Sequence, residues 1–311
     1  MPIIEVEHLT KDYGSGRGVF DVGFSVEKGE VFGFLGPNGA GKSTTIRHLM
    51  GFSKPQSGHT RIFGKDTFAS YHEILGNVGY IPGEIALPAG LTGWEFIRMM
   101  QHLQKCRNDE CLSRLLDIFE LNPEGETKRM SLGVKRKLAI VTAFMSDPQV
   151  LILDEPTSGL DPVMQEVFVS FVKNEKARGK TILLSSHIFS EVDATCDRIA
   201  IIKDGRIVSD FVADQLKHAS QKRYAIRFVT AAQCKEFERQ CKAMGDIVQI
   251  LQDRPDQNGV IIATDDSCIN RVIELLASFP VTDFEHLKET LQDYFMSYYK
   301  EDKDFGGALR A

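Results

Sequence analysis

Residues 31–44 read VFGFLGPNGAGKST, and this stretch organises the rest of the chain around itself. Val31 to Leu35 is a short apolar run without clean alternation, which suits a parallel strand covered on both faces. Gly36, Pro37, Asn38, Gly39, Ala40 and Gly41 then make a turn into Lys42, Ser43 and Thr44, where a helix is expected over 42–50. The spacing fits GxxxxGK[ST] in the strand-to-helix context that the pattern requires. The glycines let successive N–H groups curl toward one point, and the helix start adds positive potential there. A phosphate chain is the expected occupant. Lys42 can reach β- and γ-phosphates, and the Ser43 hydroxyl can ligate Mg²⁺.

Two more apolar runs repeat the strand signal, Val150 to Leu153 and Thr181 to Leu184. Asp154 and Glu155 follow the first, and His187 follows the second. Open parallel sheets bind ligands beyond the carboxyl ends of their strands. Asp154 is therefore expected to hold Mg²⁺, directly or through water. Glu155 is expected to orient and deprotonate the water that attacks the γ-phosphate, and His187 to hydrogen-bond that phosphate and water. Alone, the acidic pair would read as a solvated strand end and the histidine as structural. Their order after the glycine-rich turn decides for chemistry.

Elsewhere, Pro2 to Leu9 and the alternating Phe20, Val22, Phe24 and Val26, joined by a glycine-rich turn at 14–18, read as an antiparallel hairpin-like start. Residues of about 85–135 form an expected helical insert. There Trp94 to Leu103 and Glu110 to Phe119 carry apolar positions at helical spacing, and Pro123 and Gly125 close the second helix. Asp204-Gly205 is a hairpin signal between Arg198–Ile202 and Arg206–Ser209. The polar stretch 217–222 reads as a linker, dividing 1–217 from a 218–311 accessory domain. That domain shows strand 223–229, helix 231–243, strands 247–252 and 260–263, helix 267–278 and strand 281–286. This βαββαβ order matches a ferredoxin-like module. A last helix from Glu289 to Tyr299 places Leu291, Tyr294, Phe295 and Tyr298 on one packing side. The fold class expected is α/β, with a parallel core sheet, an antiparallel β layer, the helical insert and a C-terminal α+β module.

The 311 residues, 42% hydrophobic and 26% charged, are ordinary globular composition and enough for two domains. A net charge of −6 argues against nucleic acid or an anionic membrane as partner. The cysteines 106, 111, 196, 234, 241 and 268 are scattered without a CxxC pair, and read as reduced thiols of a cytoplasmic protein. No apolar run approaches the roughly 20 residues of a membrane span, and the opening MPIIEVEHL shows no secretory signal. A membrane role must come through a partner.

The glycine-rich loop, Asp154-Glu155, Ser158-Gly159-Leu160-Asp161, His187 and Met130-Ser131-Leu132-Gly133-Val134 together resemble the ABC-type ATPases in order and spacing, over residues 1 to about 217. The resemblance implies ATP and Mg²⁺ as cofactors. It also implies an adenine-stacking role for Tyr13 and a contact of Ser131 and Gly133 with γ-phosphate on a second ATP-binding subunit, identical or not. Asp161 would link the two sites across that dimer. Separate transmembrane permease subunits would be the other partners, with the chain peripheral on the inner face of the cell membrane. The family signature is commonly LSGGQ, so Leu132 and Val134 are departures; SLG variants look like those of drug- and peptide-exporter ATPases. In Tyr80-Ile81-Pro82-Gly83-Glu84, Gly83 stands where most relatives place a glutamine that ligates Mg²⁺. Glu84 is either the replacement ligand or a solvated loop carboxylate. The rivals are an ABC-type ATPase acting on ribosomes or DNA, and a P-loop kinase or GTPase. Ribosomal relatives usually carry two cassettes, repair relatives a long coiled coil, and GTPases an NKxD motif, none of which is present.

Overall fold

The computed structural model describes residues 2–105, 107–217, 221–287 and 290–300. Cys106, linker positions 218–220 and Glu289, the expected start of the last helix, lie outside them. The chain divides into two compact units, Met1–Ala213 and Asp214–Ala311.

In chain order the first unit runs β1 (Pro2–Asp12), β2 (Gly18–Glu27), β3 (Val31–Leu35), α1 (Lys42–Leu49), β4 (Ser57–Ile62), β5 (Lys65–Asp66), α2 (Tyr71–Ile74) and β6 (Val78–Ile81). It continues with α3 (Gly93–Leu103), α4 (Asp109–Ile118), α5 (Leu132–Phe144), β7 (Val150–Asp154), α6 (Pro162–Ala177), β8 (Thr181–Ser186), α7 (Phe189–Thr195), β9 (Arg198–Lys203) and β10 (Arg206–Val212). Among the described residues these strands form two sheets. One is antiparallel, ordered β2-β1-β4-β5. The other is ordered β10-β9-β3-β8-β7-β6 and is parallel except for the β9–β10 hairpin. That hairpin turns on Asp204 (φ 48) and Gly205 (φ 74), the doubly positive geometry favoured by the right-handed strand twist.

Strands β3, β7 and β8 are buried along their whole length, which explains why they lack polar alternation. One face of the parallel sheet meets the antiparallel layer and α1. There Phe24 stacks on Phe32 at 4.9 Å between centroids, within a cluster that includes Val22, Val26, Phe34, Ile46 and Leu49. On the opposite face α7 lies so close over β3 that a Cβ at Gly33 would stand 2.9 Å from Val192 and Cys196.

The expected alternation of β2 fails at its start. Val19 is fully buried and Phe20 only half-buried, because Asp21 takes a positive φ of 59° and the β1–β2 register shifts beside it. The insert also differs at one point. Helix α4 ends at Ile118, well before Pro123, where Glu120 enters the left-handed region at φ 46. Its partner α3 begins at a full capping box, in which Thr92 and Glu95 exchange backbone and side-chain bonds.

The second unit holds α8 (Ala213–Lys217, which crosses the boundary), β11 (Gln221–Phe228), α9 (Ala231–Ala243), β12 (Gln249–Arg254), β13 (Gly259–Asp265), α10 (Ile269–Leu276), β14 (Val281–Leu287) and α11 (Leu291–Lys300). Its sheet is antiparallel in the order β12-β13-β11-β14, the strand order of a ferredoxin-like βαββαβ module. Strand β12 starts two residues later than expected, because 245–247 close a 3₁₀ turn after Gly245. Phe228, Phe237, Cys241, Ile262 and Val272 form its core. Leu291 and Phe295 of α11 are buried, while the Tyr294 and Tyr298 hydroxyls bond each other at 2.9 Å. Cys111, Cys196, Cys234, Cys241 and Cys268 are unpaired thiols.

Candidate nucleotide site at the edge of the parallel sheet

Register places the chemistry on one edge. Leu35 pairs with Ser186, Asp154 with Ser185, and Ile81 with Leu153. The residues that follow, starting at Gly36, Glu155, His187 and Pro82, therefore leave the sheet side by side.

The loop between β3 and α1 depends on backbone that only glycine accepts readily. Gly41 caps α1 at φ 114, and a Cβ there would stand 2.8 Å from Val19. The first turn of α1 carries neither an acid nor a side-chain cap, so its N–H groups remain available to an anion. Lys42 is 5% exposed and folds over the loop, donating to Gly36 O at 2.6 Å and Pro37 O at 3.3 Å. Its ammonium also lies 3.1 Å from Glu155 Oε1. Ser43 is half-buried, with Thr44 beside it.

Glu155 stands at φ 48, held by its own N–H to Ser185 O at 3.0 Å and by the Ser158 N–H to its carbonyl at 3.1 Å. A left-handed glutamate is strained and persists only where its neighbours fix it. Its Oε2 meets His187 Nδ1 at 2.5 Å. Lys42, Glu155 and His187 thus form one continuous chain of contacts, and His187 remains half exposed at the open end.

Asp154 is 2% exposed, accepts a hydrogen bond from the Ser185 hydroxyl, and forms no ion pair with any described lysine or arginine. A buried carboxylate without a cation is costly. Burial, with Asp154's charge adding, pushes the neighbouring Tyr80 phenol up to about 12. Asp154 together with the Ser43 hydroxyl is an all-oxygen donor set, so these residues fit Mg²⁺. When bound, that ion would neutralise charge on the β- and γ-phosphate oxygens.

The loop after β6 reaches Asp154 through Gly83. A Cβ added there would stand 3.0 Å from Asp154 Oδ2. Glu84 is exposed and, among the described residues, carries no hydrogen bond or ion pair, so Gly83 rather than Glu84 faces the carboxylate.

Tyr13 is 56% exposed, so its ring stands largely in solvent, with Lys11 Nζ 5.7 Å from the centroid over one face. Ser131 caps α5, accepting from the Val134 N–H at 3.3 Å. Leu132 lies over Gly159, half exposed, and Gly133 follows it. Asp161 caps α6 by accepting from the Met164 N–H at 3.0 Å. Neither Ser131 nor Asp161 bonds Lys42, Asp154, Glu155 or His187 within this chain.

Two residues at the site escaped the sequence reading. Arg136 of α5 is 1% exposed and donates to Ser158 O at 2.9 Å and to Pro82 O and Gly83 O at 2.8 Å each. Burial lowers its pKa, while the charges of Asp154 and Glu155 act to raise it. The signal lay in spacing, since 136, 140 and 143 fall on one buried helix face, but Lys135 and Lys137 mask it. Glu191 of α7 is 4% exposed. Burial pushes its carboxyl up to about 7 against the opposing hydrogen bonds from Ser186 and Thr157. Nothing in the sequence marks it apart from any acid on a short helix.

The profile of the ABC transporter family matches residues 19–158. The bacitracin transport ATP-binding protein of Bacillus licheniformis is 39% identical over 225 residues, covering 71% of this chain and 73% of that protein. The probable multidrug ABC transporter ATP-binding protein of Escherichia coli (strain K12) is 34% identical over 223 residues, 70% of this chain and 38% of that one. Among solved structures, an ATP-binding subunit of an ABC transporter superposes with a TM-score of 0.64 at 32% identity, over 69% of this chain and 92% of that one. A dimeric ATP-binding cassette bound to ADP and phosphate shares the fold, with a TM-score of 0.59 at 23% identity over 68% of this chain and 98% of its own.

Proposed function

The chain belongs to the ABC transporter family as an ATP-hydrolysing subunit, and from that premise we propose how its residues run the cycle and what the cycle drives. ATP lies along the loop 36–44 with its adenine on Tyr13. Lys42 exchanges the carbonyls of Gly36 and Pro37 for β- and γ-phosphate oxygens. Ser43 and Asp154 would hold Mg²⁺. Glu155 orients and deprotonates the attacking water, and His187 hydrogen-bonds the γ-phosphate. The observation that carries this reading is the unbroken series Lys42–Glu155–His187, at 3.1 and 2.5 Å, beside a buried carboxylate that lacks a cation. Fixed donors around a developing charge supply most of the rate in phosphoryl transfer.

Ser131 and Asp161 serve a second copy; that their side chains bond their own helix starts, and none of Lys42, Asp154, Glu155 or His187, among the described residues supports this reading. Two chains join head to tail, each closing its Ser131 and Gly133 over the ATP of the other, with Asp161 at the seam. Among the described residues no helix is long and apolar enough to cross a membrane. The spanning helices belong to separate permease subunits, with this chain on the cytoplasmic face beside them; the relatives' names as ATP-binding proteins of transporters support this. The names of the relatives, a bacitracin transporter and a probable multidrug transporter, favour export of a peptide antibiotic or drug over ribosome or DNA work. Residues 218–311 serve as an accessory domain for regulation or dimer contacts. Although Gly83 and not Glu84 faces Asp154 in this structure, we propose that Glu84, one residue on, would add a carboxylate oxygen once Mg²⁺ is bound. An unchanged Mg²⁺ requirement in Glu84→Ala removes it from the site.

The test uses Glu155→Gln, which keeps ATP bound without cleaving it. With saturating ATP and Mg²⁺ it should sediment as a dimer, while the double variant with Lys42→Ala stays monomeric. A Glu155→Gln chain that remains monomeric under those conditions refutes the proposal.

A further inference from the structure

Behind the His187–Glu155 contact lies a carboxyl group that the proposed cycle does not use. Glu191 Oε2 accepts from the Ser186 hydroxyl at 2.7 Å and from the Thr157 hydroxyl at 3.2 Å. Its Oε1 is buried and has no hydrogen-bond partner among the described residues. Ser186 immediately precedes His187, and Thr157 follows Glu155 by two residues. One side chain therefore ties the end of β8 to the loop after β7, directly beneath the two groups that meet at 2.5 Å. Ser186 Oγ also accepts from the Ile188 N–H at 3.0 Å, so the backbone on both sides of His187 hangs on the same hydroxyl.

That support matters because the contact above it is weak by itself. His187 is half exposed, and an exposed imidazole facing a carboxylate must give up rotamer freedom for a solvent-screened attraction. Glu155 sits in a left-handed conformation that needs its surroundings to hold it. Its Oε1 lies 3.1 Å from the Lys42 ammonium, and it is Oε2 that carries His187. A filler of the space under α7 could be apolar. A carboxyl there, with one oxygen unpartnered, is retained at a cost that packing does not explain.

We propose that Glu191 is a positioning residue for hydrolysis: by gathering the hydroxyls of Ser186 and Thr157 it fixes where His187 and Glu155 meet. This rests on the reading of Glu155 and His187 as the hydrolytic pair.

The full chain is compared with Glu191→Ala and Glu191→Gln, whose amide carbonyl can still accept both hydroxyl bonds. The alanine variant should lose about tenfold or more in kcat, because small displacements of reacting groups are costly. Its ATP dissociation constant should stay within about threefold, since Lys42 and Tyr13 are untouched, and the glutamine should restore kcat to within about threefold. Nitrogen NMR of the His187 imidazole, recorded without nucleotide, should show Nδ1 released from Glu155 in the alanine variant and held in the glutamine one. That readout judges the geometry even if the chain proves to hydrolyse no ATP, so failure of the assigned chemistry and failure of this inference remain separable. Ser186→Ala and Thr157→Val should move kcat and the imidazole signal the same way by smaller amounts, which covers an alanine variant that does not fold. An unshifted His187 signal in these variants overturns the inference. So does a joint loss of kcat and ATP affinity that glutamine fails to restore.

Discussion

Arg136→Met removes a guanidinium while keeping most of its stem volume, so the cavity contribution stays small. The side chain is 1% exposed and makes three short bonds, to the carbonyls of Pro82, Gly83 and Ser158. Hydrogen bonds to a charged donor contribute about 1.5 kcal/mol or more each. The variant recovers the cost of burying a cation but leaves three carbonyls without their donor, at about 1–3 kcal/mol each, for a net loss of about 3–5 kcal/mol. For a unit of this size that corresponds to a fall in melting temperature on the order of 10 °C. Calorimetry on the full chain is the right assay, because two compact units can unfold as separate transitions. Only the transition of the first unit should move. Arg136→Lys should fall between, since a point charge cannot reach three carbonyls in a fixed fork. The Gly83 carbonyl held by Arg136 belongs to the residue that lines Asp154, so ATP turnover should fall further than ATP affinity. A methionine variant that melts within about 2 °C of the parent would mean the three bonds are matched by the desolvation they require, and the reasoning fails.

Three other outcomes follow from the geometry. Gly83→Ala places a methyl 3.0 Å from Asp154 Oδ2, the oxygen that Ser185, bonded to Oδ1, leaves free for a metal; the Mg²⁺ needed for half-maximal ATPase activity should rise several-fold while stability changes by less than about 1 kcal/mol. Tyr13→Ala should weaken binding of a fluorescent ATP analogue by about 1–3 kcal/mol with no loss of stability, and Tyr13→Phe should bind as the parent does. Glu191, pushed up to about 7 from 4.5, binds its proton more tightly folded than unfolded. Its stabilising contribution is therefore complete below about pH 4.5 and is lost as pH rises through about 7, by up to about 3 kcal/mol. Denaturant titrations across that range should show a flatter profile for Glu191→Gln.

The reactive edge was legible because β3, β7 and β8 are buried on both faces, and such strands announce themselves as apolar runs, ending at Gly36, at Asp154 and, after two serines, at His187. Strand β4 was not. In Ser57–Ile62 only Thr60 and Ile62 are buried, so the segment offers little hydrophobic pattern to read. Strand β6, four residues long, is too short to show a period, although its loop had been singled out for Gly83 and Glu84. The half-buried Phe20 shows a local limit of another kind, because a single residue at positive φ shifts which neighbours face inward without altering composition. Arg136 and Glu191 stayed hidden for a shared reason. The carbonyls around Arg136 and the Thr157 hydroxyl on Glu191 come from distant loops, and the nearby Ser186 is one of many serines, so such partners leave no mark along the chain.

The left-handed backbone of Glu155 bears on how variants of this protein are selected. Glycine at position 155 would relieve about 1–2 kcal/mol of steric strain while removing the carboxylate. A library screened for heat resistance or expression yield alone should therefore enrich inert chains at this codon. Recovering the parent glutamate in such a screen requires a second selection, for growth in the presence of whatever compound the transporter removes.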